Sequence, residues 1–209
     1  MANGCLIVCD GSNGAGKTTV IKAIEAHVKK MNRDVVMTRE PGGTPIGEKI
    51  RTLVLDPLTP EMEDITELLL FSAARAQHLR EKILPAIAAG KVVVSDRFVA
   101  ATVSFQHYAR GLDINMINQV NKLALGDFAP DMNIILDLDP VVGLQRVAQR
   151  GDGIDRMEDQ KLEFLQKARE GYLRQASDNP QIFSVIDAAQ PLEKVIEEAL
   201  RIVDRLLAR

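Results

Sequence analysis

The stretch Gly11-Ser12-Asn13-Gly14-Ala15-Gly16-Lys17-Thr18 has the spacing of a phosphate-cradling loop: a glycine, four residues, then Gly-Lys-Thr. A tight glycine turn exposes successive backbone N–H groups, and a helix that starts after it adds the positive end of its dipole. Residues Gly11 to Thr18 are therefore expected to hold the phosphates of ATP. Lys17 would reach the β- and γ-phosphates, and the Thr18 hydroxyl would hold Mg²⁺. Between the outer glycines no residue is cationic. If the chain moves a phosphoryl group, much of the positive charge must come from elsewhere.

Other polar residues stand where they could supply it or complete the site. Asp10 directly precedes the loop, where a carboxylate orients an acceptor hydroxyl or metal-bound water, or simply closes a strand end by hydrogen bonding. Asp96-Arg97 follows the apolar run Val92–Ser95. An aspartate there suits Mg²⁺ contact through water, and the arginine a two-pronged grip on phosphate; the plainer reading is an ion pair. Phe71 and Arg75 are four apart and share a helix face. They are either a ring and a guanidinium for a nucleobase, or a core aromatic beside a solvated arginine. Arg146 and Arg150 are again four apart, and Arg156 lies beyond a glycine-containing loop. A closing loop could bring one of these over a γ-phosphate as an arginine finger, but a solvated, charge-rich loop explains them equally. His27, His78 and His107 have no metal-ligand spacing and read as surface or packing residues.

These residues need a frame. Short apolar runs at Cys5–Cys9, Val35–Thr38, Val92–Ser95, Ile134–Leu138 and Ile182–Ile186 look like buried parallel strands. Helical patterns fill the gaps: Lys17–Met31, Pro45–Leu55 behind the cap Thr44, Glu63–Leu84 bounded by Pro60 and Pro85, Ile114–Leu125 behind Asp113, Pro140–Gln149, Asp159–Ala176 and Pro191–Ala208. The alternation predicts an α/β fold with helices on both faces of a parallel sheet, and ligands at the carboxyl ends of the strands. The whole chain, 1–209, reads as one domain, with a lid segment at about 150–158.

The chain has 209 residues, 46% of them hydrophobic, enough for one well-packed core. A net charge of −3 argues against a general nucleic-acid binder. No run reaches the length of a membrane span, and Met1–Gly4 leads straight into a strand, so no signal peptide is expected. Cys5 and Cys9 read as small buried residues of a cytoplasmic protein.

Several longer stretches resemble the bacterial thymidylate kinase family: "TREPGGTPIGEKIR" (Thr38–Arg51), "ELLLFSAARAQH" (Glu67–His78), "DRF" (Asp96–Phe98), "LALGDFAPDMNIILDLDPVVGLQR" (Leu123–Arg146) and "RGDGIDRME". With the loop, they cover about residues 5 to 190 in the family's order. The resemblance implies a P-loop fold like that of nucleoside monophosphate kinases, with a five-stranded parallel sheet. It implies γ-phosphoryl transfer from ATP to dTMP with Mg²⁺, in a homodimer that packs through helices such as Glu63–Leu84 and Ile114–Leu125. It places Pro41 near the base, Phe71 and Arg75 on the thymine, Arg39 and Arg97 near the monophosphate, Asp96 at the metal, and Asp10 near the sugar hydroxyl and metal. Thr102 takes the base-facing polar position, Phe105 replaces the usual Tyr, and Gln106 is kept. His107-Tyr108-Ala109 stand where relatives have glycines, and the lid is one residue longer. Glycine in the loop together with Arg150 and Arg156 resembles the members that take their catalytic cation from the lid. A deoxynucleoside kinase, or a P-loop regulator without turnover, are the rival readings.

Overall fold

The computed structural model describes residues 4–149 and 155–208. Its centre is β1 (Cys5–Gly11), flanked by β3 (Val92–Asp96) and β4 (Met132–Asp137), with β2 (Val35–Arg39) and β5 (Phe183–Asp187) at the edges. The sheet order is β2-β3-β1-β4-β5 and every pairing is parallel, the five-stranded sheet the sequence leads one to expect. β1, β2, β3 and β5 run one or two residues past the expected apolar runs, and β4 starts earlier and stops at Asp137, one residue short of Leu138. Gly11, Arg39, Asp96, Asp137 and Asp187 therefore gather at one rim.

Alternation along β1 explains why it is buried on both faces. Ile7 and Cys9 pack with Val20, Ile24 and Val28 of α1 (Lys17–Lys30) and with Val195, Ala199 and Val203 of α9 (Leu192–Leu207). Leu6 and Val8 point the other way, into a cluster with Leu79, Ile83, Val93 and Phe98. The edge strands β2 and β5 are only partly covered, so their burial falls short of the two-faced apolar pattern read from sequence.

α2 (Pro45–Val54) begins as expected behind Thr44, whose side chain accepts from Gly47 N. The long helix does not end at Pro85. It runs as α3 (Asp64–His78), a π-helical segment Leu79–Ile83, and α4 (Leu84–Ala88). The wider π-turn absorbs an extra residue, and Pro85 then falls in the first turn of the next helix, where a missing N–H costs nothing. A second helical unit escapes the apolar pattern altogether: α5 (Val99–Thr102) with the π-helical segment Val103–Ala109. Its buried residues include Thr102, Ser104 and Gln106, so polarity hides its period. α6 (Ile114–Leu125), α7 (Pro140–Ala148) and α8 (Leu162–Asp178) follow. α8 lies close on the second π-segment, and a Cβ at Gly171 would stand 3.0 Å from Ser104 Cα. No helix among the described residues is long and apolar enough to cross a membrane.

Ile7 is fully buried at the sheet centre, whereas Val185 on β5 is 45% exposed. Ile7→Ala is expected to cost about 2–5 kcal/mol of unfolding free energy and Val185→Ala less than about 1 kcal/mol, measured by urea denaturation.

Candidate active site

β1 delivers the glycine loop to the rim of the sheet, and α1 starts directly behind it with Gly16 as its left-handed cap. The four uncharged positions of the loop each have another task. Ser12 Oγ donates to Leu138 O at 3.1 Å, and Asn13 Oδ1 accepts from Arg97 at 2.6 Å. Ala15 is buried in the core below. Gly14 has φ 73°, and a Cβ there would stand 2.4 Å from the carbonyl oxygen of Gly143. The contact is mutual, since a Cβ on Gly143 would lie 2.3 Å from Asn13 O. α7 thus rests backbone to backbone on the loop, where a cationic side chain would otherwise begin.

Lys17 folds back on the loop, with Nζ donating to Gly11 O at 3.2 Å and Ser12 O at 2.9 Å. Burial, reinforced by nearby Arg97, lowers its amine to about 8.

Arg97 holds the loop from the β3 side. Its backbone is left-handed at φ 68°, a conformation that costs a bulky residue about 1–3 kcal/mol. Its NH1 donates to Asp10 Oδ1 at 2.9 Å, Gly11 O at 3.1 Å and the Tyr172 hydroxyl at 2.8 Å. The guanidinium also lies 5.3 Å from the centroid of the Phe105 ring. Phe105 stacks on Phe164 and meets Tyr172 edge-on, so the ring has little freedom to turn. Asp10 lies beneath this layer, fully buried. Oδ1 accepts from Gly11 N, Arg97 and Tyr172, while Oδ2 has no hydrogen-bond partner among the described residues. Burial pushes its carboxyl up despite the opposing pull of Arg97 and Tyr172.

The far end of the cleft is built on α3. Arg75 is 2% exposed and fixed on every side. Nε donates to Glu40 at 2.8 Å, NH1 to Asn121 at 3.0 Å, and NH2 to the Thr102 hydroxyl at 2.7 Å. Glu40 also faces His78 Nδ1 at 2.9 Å, and His78 Nε2 meets Thr38 Oγ1 at 2.6 Å. Phe71, one turn before Arg75, lines the same cavity.

Together these surfaces enclose a cleft of about 570 Å³. Asn13, Gly14, Gly16, Lys17 and Thr18 line one end; Pro41, Phe71, Arg75, Thr102, Phe105 and Gln106 line the other, with Arg39, Asp96 and Arg97 also on its wall. Gly11, Ser12, Ala15 and Asp10 support the wall without facing the cavity. The two lid arginines fare differently. Arg150 lies outside the described residues. Arg156, expected over the γ-phosphate, is turned away from the cleft: it is 7% exposed and ion-paired with fully buried Glu67. Leaving that pair would strand a buried charge. Arg146 does line the cleft, with NH1 3.3 Å from Gly14 O.

Glu67, Asn121 and Tyr172 escaped the reading from sequence, and Glu40 stood in it only as part of the polar turn after β2, without its role of holding Arg75. Glu67 had a usable signal, standing four residues before Phe71 on one helix face. Tyr172 had none, because only the fold brings it across to Asp10.

The profile of the family described as Thymidylate kinase matches residues 9–199. Thymidylate kinase from Latilactobacillus sakei subsp. sakei (strain 23K) is 43% identical over 202 residues, covering 96% of this chain and 94% of the relative. The enzyme of that name from Enterococcus faecalis (strain ATCC 700802 / V583) is 46% identical over 196 residues, 93% and 92% of the two chains. The crystal structure of thymidylate kinase from Ehrlichia chaffeensis superposes with a TM-score of 0.78 at 30% identity, covering 97% of this chain and 99% of that one.

The geometry yields two expectations. Gly14→Arg should weaken triphosphate binding by roughly tenfold or more, through strain at positive φ and the clash with α7; calorimetric titration measures it. Triphosphate affinity should be flat below pH about 8, where Lys17 is protonated, and fall by up to about tenfold per unit as pH rises through that value. Lys17→Arg should remove the slope.

Proposed function

The chain belongs to the thymidylate kinase family and phosphorylates dTMP to dTDP with ATP, and from that premise we propose how its residues share the work. The observation that carries the assignment is that the two ends of one cleft differ in kind. At one end a glycine loop offers backbone N–H groups; at the other, Phe71 and Arg75 offer a ring and a fixed guanidinium.

ATP places its phosphates on residues Gly11 to Thr18, with Lys17 on the β- and γ-oxygens. Thr18 and Asp96 both line the cleft, and no cluster of three or more His, Cys, Asp or Glu among the described residues is arranged for a metal. That pair fits a Mg²⁺ ion that takes most of its ligands from phosphate and water. Bound there, Mg²⁺ would neutralise charge on the phosphoryl group.

At the other end Phe71 stacks on thymine. Arg75 and Thr102 read its polar edge, with Pro41 close to the base and Gln106 on the adjoining wall. Arg97 and Arg39 hold the monophosphate. Phe105 occupies the sugar side, where its bulk opposes a ribose 2′-hydroxyl. The acceptor phosphate is already anionic, so Asp10 need not act as a base: buried behind the cleft wall, it fixes Arg97 rather than reaching the sugar. Catalysis is then alignment plus charge neutralisation. The charge comes from Lys17, Arg97 and Arg150 of the lid, with Arg146 at the mouth.

We also propose that the chain is a single cytoplasmic domain with its lid at about 150–158. It would act as a homodimer. Ile65 and Leu69 on α3 and Leu123 on α6 are 43%, 52% and 81% exposed on two helices that pack together, an apolar face suited to a second copy. Sedimentation equilibrium tests this.

In a coupled assay dTMP should be used at least about a hundredfold better, in kcat/KM, than GMP, CMP or AMP; equal use would sink the assignment. Arg150→Ala should lower kcat by roughly 10²–10⁴, by analogy with arginine fingers.

A further inference from the structure

One side of the cleft is assembled around a carboxylate that the chemistry above does not use. Glu67 is fully buried on α3, on the same face as Phe71 and Arg75. It accepts from Gln106 Nε2 at 2.9 Å, from Arg110 Nε at 3.2 Å and NH2 at 3.0 Å, and from Arg156 NH2. Burial pushes its carboxyl up, but the hydrogen bonds from Arg110, Gln106 and Arg156 outweigh this and hold it below the ordinary glutamate range. Three stretches of chain thus converge on one ionised side chain: the π-helical segment carrying Gln106, the turn at Arg110, and the chain leaving the lid at Arg156.

Arg156 is fastened twice more, by Nε to Val54 O at 3.0 Å and by its backbone N to Leu55 O at 3.2 Å, at the end of α2. The next residue, Met157, is 8% exposed and packs in a cluster with Phe105, while Leu55 and Phe71 lean on the same cluster. Met157 and Glu158 line the cleft. An Arg156 that swung out to a γ-phosphate would abandon Glu67 and draw Met157 off this wall.

We propose that Glu67 and Arg156 are positioning residues for the nucleoside monophosphate: their ion pair latches the distal end of the lid to the helix that reads the base, so that Met157 becomes a wall of the dTMP pocket. The proposal rests on the reading of the Phe71–Arg75 end as that pocket. The two ends of the lid then serve different substrates. The helix that leads into it, α7, rests on the ATP loop; its far end, at Arg156, belongs to the dTMP side.

The test is steady-state kinetics with both substrates varied, together with calorimetric dTMP binding in the absence of ATP. Arg156→Gln and Glu67→Gln should each raise the dTMP KM and dissociation constant by roughly tenfold or more, as a displaced pocket wall does, while the ATP KM stays within about twofold and kcat falls less than about tenfold. Glu67 is decisive, because it reaches no phosphate. Arg156→Lys keeps the charge without the fork and should fall between wild type and Arg156→Gln, so the outcome does not depend on the harsher variants folding. A loss of roughly 10³ in kcat on Arg156→Gln with unchanged dTMP affinity would make Arg156 a finger and overturn the latch. Phe71→Ala separates the two levels. If it leaves dTMP affinity unchanged, the pocket is misplaced; if it weakens dTMP while the Glu67 and Arg156 variants do not, the latch alone fails.

Discussion

A guanidinium cannot be taken out of water without an anion to meet it, and beneath Arg97 that anion is Asp10. The pair joins parts of the chain that are far apart in sequence. Asp10 ends β1, Arg97 follows β3, and Tyr172 on α8 donates to the same carboxylate oxygen. Because Arg97 also bonds Gly11 O and Asn13, the shape of the phosphate loop depends on this one charge being in place. The left-handed backbone at Arg97 follows, since it is the conformation from which the side chain turns back over the loop.

The same rule recurs twice along the cleft. Arg75 is met by Glu40 and Arg156 by Glu67, and both carboxylates are almost completely buried. In a medium of low polarizability such pairs are rigid, because each partner left alone would carry a large desolvation penalty. Rigidity suits a kinase whose chemistry consists of holding two phosphates in line. It also sorts the arginines: Arg75, Arg97 and Arg156 are held in fixed positions by buried carboxylates, whereas Arg146 lies exposed at the mouth of the cleft.

The frame was readable because its signals are local. β-branched runs, the caps Thr44 and Asp113, and the glycine spacing each lie within a few residues of the structure they specify. The phosphate loop, Asp96 and Arg97 were found in this way; spacing left Phe71 and Arg75 open and the family resemblance placed them, and all but Gly11, Ser12 and Ala15 of these residues face the cleft. What escaped was either polar and buried or long-range. The helix through Thr102 and Gln106 buries hydroxyl and amide groups, which carry no apolar period. The partners of the arginines lie far away along the chain, with Asp10 and Tyr172 brought together across 162 positions. Arg156 shows the limit of composition as a guide: an arginine in a charged, glycine-containing stretch looks solvated, and only its buried acidic partner on α3 reveals otherwise.

The backbone contact between Gly14 and Gly143 bears on how such a site can change over time. Each glycine forbids a side chain on the other's segment, so neither position can drift alone. Placing a cationic side chain at Gly14 would require α7 to retreat first, and a retreat with no new cation in place would loosen the support of the loop for no gain. The two arrangements are thus separated by a coordinated pair of changes. A lineage built on this contact is held to a loop uncharged at Gly14 by the packing of two residues that have no side chains at all.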